Sequence, residues 1–203
     1  VQAPLHQRLA TDRGPVHVLN QGSERVVIYV HGYYTDADEA WPSVSRQLGD
    51  QPALFIMPEA PSGPRDPVLW PELGALLERV TDAPPTDVTV IGHSGAYRTI
   101  KRWLDDPRVS RIILLDAIYG DISPFVAWAN AGTTGRRLIL VSRNTWRSTR
   151  ALLDRVASNA VFDAVPGRAE DVDSQADVLC FRSQYDHFAI VESGAVIPVM
   201  LAL

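Results

Sequence analysis

Cysteine is almost missing from this chain of 203 residues, which carries Cys180 alone. A single thiol excludes an internal disulfide and a cysteine-based zinc site. Because it sits inside the apolar run Val178-Leu-Cys-Phe181, it reads as a core thiol. Lysine is equally scarce, since Lys101 is the only one among 19 basic residues and the rest are arginine. With 24 acidic residues, a formal charge of −5 and a pI near 5.5, the chain advertises no basic face, so a nucleic-acid partner is not expected. No stretch approaches the ~20 apolar residues of a membrane-spanning helix. Methionine does not open the chain either. Val1 at the start implies a processed product, compatible with a removed signal peptide, and leaves the compartment open between cytoplasm, periplasm and exterior.

What is present is enough for one well-buried unit. A hydrophobic share of 46% over 203 residues suits a single domain, 1–203, and is too little for two comfortable ones. Short β-rich apolar runs alternate with helical patterns, the signature of an α/β protein with a largely parallel sheet. Strands at about 5–10 and 15–20, joined by a tight turn at Asp12-Arg13-Gly14, predict an antiparallel N-terminal hairpin. Val26 to Val30 is apolar on both faces, as a central strand requires. Further strands follow in Ala53–Pro58, Asp87–Gly92, Ser110–Ala117, Arg136–Ser142 and Asp177–Ser183, making eight in all. Helices are expected from Thr35, whose Asp38 gives capping-box character, to about Gln47. Others are expected after Pro71, over 97–104, through Ser123–Asn130, over Trp146–Asn159, and as a closing segment interrupted near Pro198. The proline-rich piece from Pro58 to Pro71 reads as a long loop over one face of the sheet.

One connection carries chemistry. Gly92-His93-Ser94-Gly95-Ala96 joins the strand Val88–Ile91 to the helix that begins at Tyr97. A strand-to-helix bend with small residues on either side of a serine forces that serine into a strained backbone and leaves room for it. The alternative is a serine that merely caps the helix. With its place in the strand order, this stretch resembles the nucleophile elbow of the α/β-hydrolases, and the resemblance extends over essentially the whole chain. Ala96 stands where the strict motif has a second glycine, a small-for-small change.

The resemblance implies an α/β-hydrolase fold and a serine hydrolase of the small, capless esterase or lipase-like kind. Ser94 is then the nucleophile. The family's histidine lies in the loop after the last strand, where Arg182-Ser-Gln-Tyr-Asp-His187-Phe-Ala-Ile190 places His187 as the general base. The usual position of the acid, after the seventh strand, reads Val-Ser-Arg-Asn-Thr-Trp-Arg-Ser and holds none. The sixth strand, however, ends in Leu-Leu-Asp116-Ala, and an ionised aspartate at the end of a buried strand needs a partner. Asp116 is therefore the expected third member, with Asp121 in reserve and Asp186 a weaker choice. A capping role for Asp116 at the next turn is the competing explanation. The backbone N–H groups of Gly95 and of Tyr33, in the His31-Gly32-Tyr33-Tyr34 loop, are the expected oxyanion donors, with Tyr34 an option.

Other features are read as structural. Asp36, Asp38 and Glu39 sit where a helix's first turn favours negative charge, so no metal is expected. Arg143 and Arg147 flank the exit of the seventh strand and read as solvated. Trp41, Trp70, Trp128 and Trp146 serve equally as cleft roof or core. No cofactor is implied. The expected substrate is a small or protruding carboxylic ester, cleaved through an acyl-enzyme. Amide or peptide cleavage by the same triad is one alternative, and a non-catalytic binding protein on a hydrolase scaffold is the other.

Overall fold

The computed structural model describes residues 5–20, 25–48, 52–83, 85–132 and 134–203. The chain opens with the hairpin β1 (Leu5–Thr11) and β2 (Gly14–Asn20), in which Thr11 faces Gly14 across the turn. Gly14, at φ 94°, supplies the left-handed residue that follows the Asp12-Arg13 turn and returns the chain to the ladder. The remaining strands are β3 (Val26–Val30), β4 (Leu54–Pro58), β5 (Val88–His93), β6 (Val109–Leu115), β7 (Arg137–Ser142), β8 (Asn159–Phe162) and β9 (Val178–Arg182). They form one sheet in the order β1-β2-β4-β3-β5-β6-β7-β9-β8. Only β1–β2 and β2–β4 pair antiparallel, and every other pair is parallel.

Helices cover both faces: α1 (Ala37–Ser45), α2 (Leu73–Val80), α3 (Tyr97–Ile100), α4 (Ser123–Asn130), α5 (Trp146–Leu153), α6 (Ala189–Glu192) and α7 (Val196–Ala202). Strand alternation decides which face each residue serves. Val26, Ile28 and Val30 pack with α2, α3, α4 and α5, whereas Val27 and Tyr29 pack with α1, α6 and α7. Trp41, Trp70 and Trp128 lie in these cores, and Trp146 packs against one of them. Cys180 is fully buried among them, and burial pushes its thiol up to about 12.

The structure differs from the sequence expectation in four places. Among the described residues the sheet has nine strands, not eight, because β8 lies within the region read as helix and loop. The helix there stops at Leu153, whose carbonyl accepts from Asn159 Nδ2 at 3.3 Å, and Ser158 begins parallel pairing with Val178. Four residues of half-exposed edge strand carry little periodicity of their own, so only pairing with β9 defines them. The cap of α1 is Asp36, which accepts from Glu39 N–H at 2.8 Å, rather than Thr35. The helix after the elbow is α-helical only over Tyr97–Ile100, with a tighter turn on each side. The closing segment breaks at Ser193-Gly194, where Gly194 has φ 74°. Pro198 instead sits in the first turn of α7, where a missing N–H costs nothing.

Candidate active site

The parallel strands end along one edge, and of the four non-glycine residues with positive φ among the described residues, three lie at or just past that edge. They are Tyr34 (66°), Ser94 (52°) and Asp116 (47°), with Asp121 (48°) a little further on. Such backbone costs ~1–3 kcal/mol per residue and persists only where the surroundings hold it. At Ser94 the holding parts are visible. A Cβ on Gly92 would lie 2.3 Å from the Ile100 side chain, and one on Gly95 would lie 2.4 Å from the Tyr33 ring. A side chain at either position would therefore have to displace a neighbour, the end of Ile100 at 92 and the Tyr33 ring at 95. Ala96, 1% exposed, fits beneath it.

His187 comes from the loop after β9. Its Nε2 stands 3.1 Å from Ser94 Oγ, and its Nδ1 stands 2.7 Å from Asp116 Oδ2. A carboxylate can only accept, so Nδ1 carries the proton and the Nε2 lone pair faces the serine hydroxyl. Asp116 is fully buried, and among the described residues no arginine or lysine side chain is bonded to it. Its Oδ1 accepts from the N–H groups of Arg143 and Thr145, both at 2.9 Å, and from Thr145 Oγ1 at 2.8 Å. Its Oδ2 accepts from Asn144 N–H at 3.1 Å as well as from His187. Burial alone would raise the pKa of this carboxyl. The hydrogen bonds from His187, Thr145 and Arg143 outweigh it and hold the group well below the usual carboxylate range. Asp116 thus receives the N–H groups of the loop after β7, rather than those of the turn that follows it, and contacts the imidazole at once.

The other aspartates are engaged elsewhere. Asp121 pairs with Lys101 at 2.7 Å, and Asp186 accepts from the N–H groups of Phe188 and Ala189. Asp36 caps α1, while Asp38 holds Arg8 and His17. The side chains of Arg143 and Arg147 are exposed.

The loop after β3 is fixed by His31, which is 1% exposed. Its Nδ1 donates to the Gly32 carbonyl at 2.8 Å, and its Nε2 accepts from Ala60 N–H at 2.9 Å. A trans peptide sets its N–H opposite its C=O, so tying down the Gly32 carbonyl turns the Tyr33 N–H the other way. Tyr34 is unsuited as a donor because its N–H is bonded to the Ser62 carbonyl at 2.9 Å. Gly95 is second in the turn that follows β5, where N–H groups lack partners within the helix. The Tyr33 ring rests on Gly95, and its hydroxyl accepts from Arg98 at 3.3 Å.

Sequence reasoning gave no part in the site to two neighbours of the imidazole. Tyr119 Oη lies 3.3 Å from His187 Nδ1, with its ring set edge-on at 6.0 Å. His93 lies beneath the loop, its ring 4.6 Å from that of His187. Neither carried a local signal beyond its place near a strand end. A cavity of about 270 Å³ opens beside the site, with Gly32, Tyr33, His93 and Phe188 in its wall.

No protein-family model and no curated protein matches this chain. Solved structures do. The carboxylesterase CesB from Bacillus subtilis is 10% identical, with a TM-score of 0.57 over 99% of this chain and 91% of that one. The Pyrococcus furiosus esterase Pf2001 is 13% identical, with a TM-score of 0.59 over 98% and 90%. The thioesterase domain from the curacin biosynthetic pathway is 10% identical, with a TM-score of 0.57 over the full length of both. At these identities the likeness establishes the fold, and that fold is the α/β-hydrolase fold.

Proposed function

We propose that this chain is a serine hydrolase that cleaves a carboxylic ester, working as one catalytic domain without a large cap. The observation that carries the reading is the hydrogen-bonded series Ser94 Oγ, His187 Nε2, His187 Nδ1, Asp116 Oδ2, with contacts of 3.1 and 2.7 Å. It lies at the carboxyl edge of the sheet, where open α/β sheets bind their ligands.

In the reaction, His187 Nε2 takes the hydroxyl proton as Ser94 Oγ attacks the ester carbonyl carbon. Asp116 holds the ring in the required tautomer and stabilises the imidazolium. The carbonyl oxygen gains the electron pair and is met by the N–H groups of Tyr33 and Gly95. Collapse expels the alcohol, which receives the proton from His187, and leaves an acyl-serine. A water then repeats the sequence, with His187 taking its proton, and releases the carboxylic acid. The first-turn position of Gly95 and the His31 anchor on Gly32 support the assignment of the two donors. The mouth is bordered by Tyr34, Phe188 and Tyr119, which are 85%, 59% and 48% exposed. An accessible rim of this kind suits small or protruding acyl groups.

A fluorophosphonate probe tests the reading directly. Wild type is expected to label at residue 94 and Ser94→Ala to remain unlabelled, with p-nitrophenyl ester turnover falling by ~10⁴-fold or more. A folded wild type that neither labels nor turns over any member of an ester and amide panel would instead mark a binding protein on this scaffold.

A further inference from the structure

His93 immediately precedes the nucleophile and is 7% exposed. Strand alternation sets it on the face opposite α3. Ile91, two residues earlier, packs with α1, α6 and α7, and the Tyr29 of the neighbouring strand borders the same cavity as His93. The loop that carries His187 returns to the sheet on that face and runs into α6. There His93 Nε2 lies 2.9 Å from the main-chain carbonyl oxygen of His187. A carbonyl only accepts, so Nε2 carries a proton and donates it.

The start of α6 leaves that carbonyl to His93. Ile190 N–H bonds to the Asp186 carbonyl, and the N–H groups of Val191 and Glu192 both bond to Phe188. Among the described residues, His93 is the donor that the His187 carbonyl has. Asp116 holds the imidazole itself, and the other main-chain ties of the loop act on neighbouring residues. Ser183 N–H bonds to the Ser142 carbonyl, Gln184 bonds to Val165, and Asp186 bonds to its own following residues.

We propose that His93 is a positioning residue, whose Nε2–H grips the backbone of His187 and fixes the distance between the base and Ser94. The inference rests on the hydrolase reading above, in which His187 is the base. Residues 93 and 94 share one strand end, so the nucleophile and the anchor of its base form a single rigid piece. The ring is confined on its other side as well, since a Cβ on Gly32 would approach His93 Nδ1 to 3.1 Å. Burial and the adjacent His187 push the His93 pKa down to about 4, so the ring is neutral near pH 7. A neutral ring 4.6 Å away does not repel the imidazolium that forms on His187 during the reaction.

The test separates the donor from the bulk of the ring. His93→Phe keeps a ring and loses the donor. In His93→Gln the amide nitrogen falls near the position of Nε2, whereas in His93→Asn it stops short. With a p-nitrophenyl ester, Phe and Asn are expected to lower kcat by ~10–100-fold, the scale of a misplaced catalytic group. KM should stay within about two-fold, and Gln should recover most of the loss, as a purely packing role would not allow. Should the Phe variant fail to fold, the Asn and Gln pair makes the same comparison. A folded Phe or Asn variant turning over at the wild-type rate overturns the inference. So does a folded Gln variant as slow as Phe or Asn. Because fluorophosphonate labelling of wild type is measured alongside, either result leaves the hydrolase reading standing. A wild type that does not label ends that reading and this inference with it.

Discussion

Among the described residues are two histidine–aspartate pairs of nearly equal length, His187–Asp116 at 2.7 Å and His17–Asp38 at 2.9 Å. Each has a second imidazole beside it. His93 lies 4.6 Å from His187 ring to ring, and His6 Nε2 lies 3.1 Å from His17 Nδ1. Their surroundings differ. Asp38 is 47% exposed and gives both oxygens to Arg8 at 2.7 Å, so a permanent cation already neutralises it. Asp116 is fully buried and is held by neutral N–H and O–H donors plus one imidazole. Its charge is therefore free to answer a proton arriving on His187. The free nitrogen of His187 faces a hydroxyl at 3.1 Å, while His17 meets another histidine and stacks on Trp41 at 4.9 Å. A histidine–aspartate contact by itself thus marks nothing; the two pairs differ in the burial of the carboxylate, in the absence of a bonded arginine side chain among the described residues, and in the hydroxyl on the far nitrogen.

Parallel substitutions in the two pairs break or sharpen this contrast. Asp116→Asn should lower kcat by ~10³–10⁴-fold, because the amide cannot hold His187 in the required tautomer. It should also cost ~1–3 kcal/mol of stability, since an amide NH₂ would face the N–H donors of the loop after β7. Asp38→Asn should leave ester turnover within about two-fold of wild type. Equal losses of kcat in the two variants, measured with one p-nitrophenyl ester, would erase the distinction.

Gly95→Ala comes next, with an expected fall in kcat of ~10²–10³-fold. Its Cβ would enter the Tyr33 ring, displacing the loop that carries one proposed oxyanion donor and the turn that carries the other. Activity near wild type would show that the Tyr33 loop plays no part. Tyr33→Phe removes only a 3.3 Å bond from Arg98 and keeps the backbone. Turnover is expected to drop no more than a few-fold, with ~0.5–1.5 kcal/mol lost from stability in denaturant titration.

The smallest effect concerns acid. Hydrogen bonding to Arg8 lowers the Asp38 pKa from 3.8 in the unfolded chain to about 2. Its contribution to stability is therefore present above about pH 4 and is lost as pH falls through about 2. Burial lowers the His17 pKa below 6.5, so the unfolded chain takes that proton first and stability declines below that pH. The thermal midpoint of wild type should fall between pH 5 and pH 2, and Asp38→Asn should flatten the lower part of that fall. The Asp38–Arg8 pair is half exposed and screened by water, so the difference between the curves should be small. Coincident curves would remove Asp38 from the account.

Much of the fold was legible because its signals are local. The alternation of buried runs with amphipathic helices marks the parallel layers, and Gly14 marks the hairpin. Gly92, Gly95 and Ala96 around Ser94 mark a bend that bulkier residues would block. The four misplacements share one cause. β8 exists only by pairing with β9, and the true ends of α1, α3 and the closing helices depend on which backbone groups found partners. The candidate site divides the same way. Ser94, Asp116 and His187 could be named because the resemblance points to strand ends, and each of them lies at or just beyond one. The loop at 143–145, which lacks an acid, gave no hint that its N–H groups receive the acid of the neighbouring strand.

By itself, then, the sequence determined the alternation of strands and helices, the bend at residue 94 and the burial of the Asp116 strand. Spacing and side-chain size act over a few residues, and that suffices for all three. Only the tertiary structure decided which histidine met which aspartate, that His93 reached 94 residues along the chain to the His187 carbonyl, and that Asp38 was spent on Arg8. Hydrogen bonds form between groups that the sheet brings within 3 Å, and their partners' positions along the chain leave no trace in local pattern.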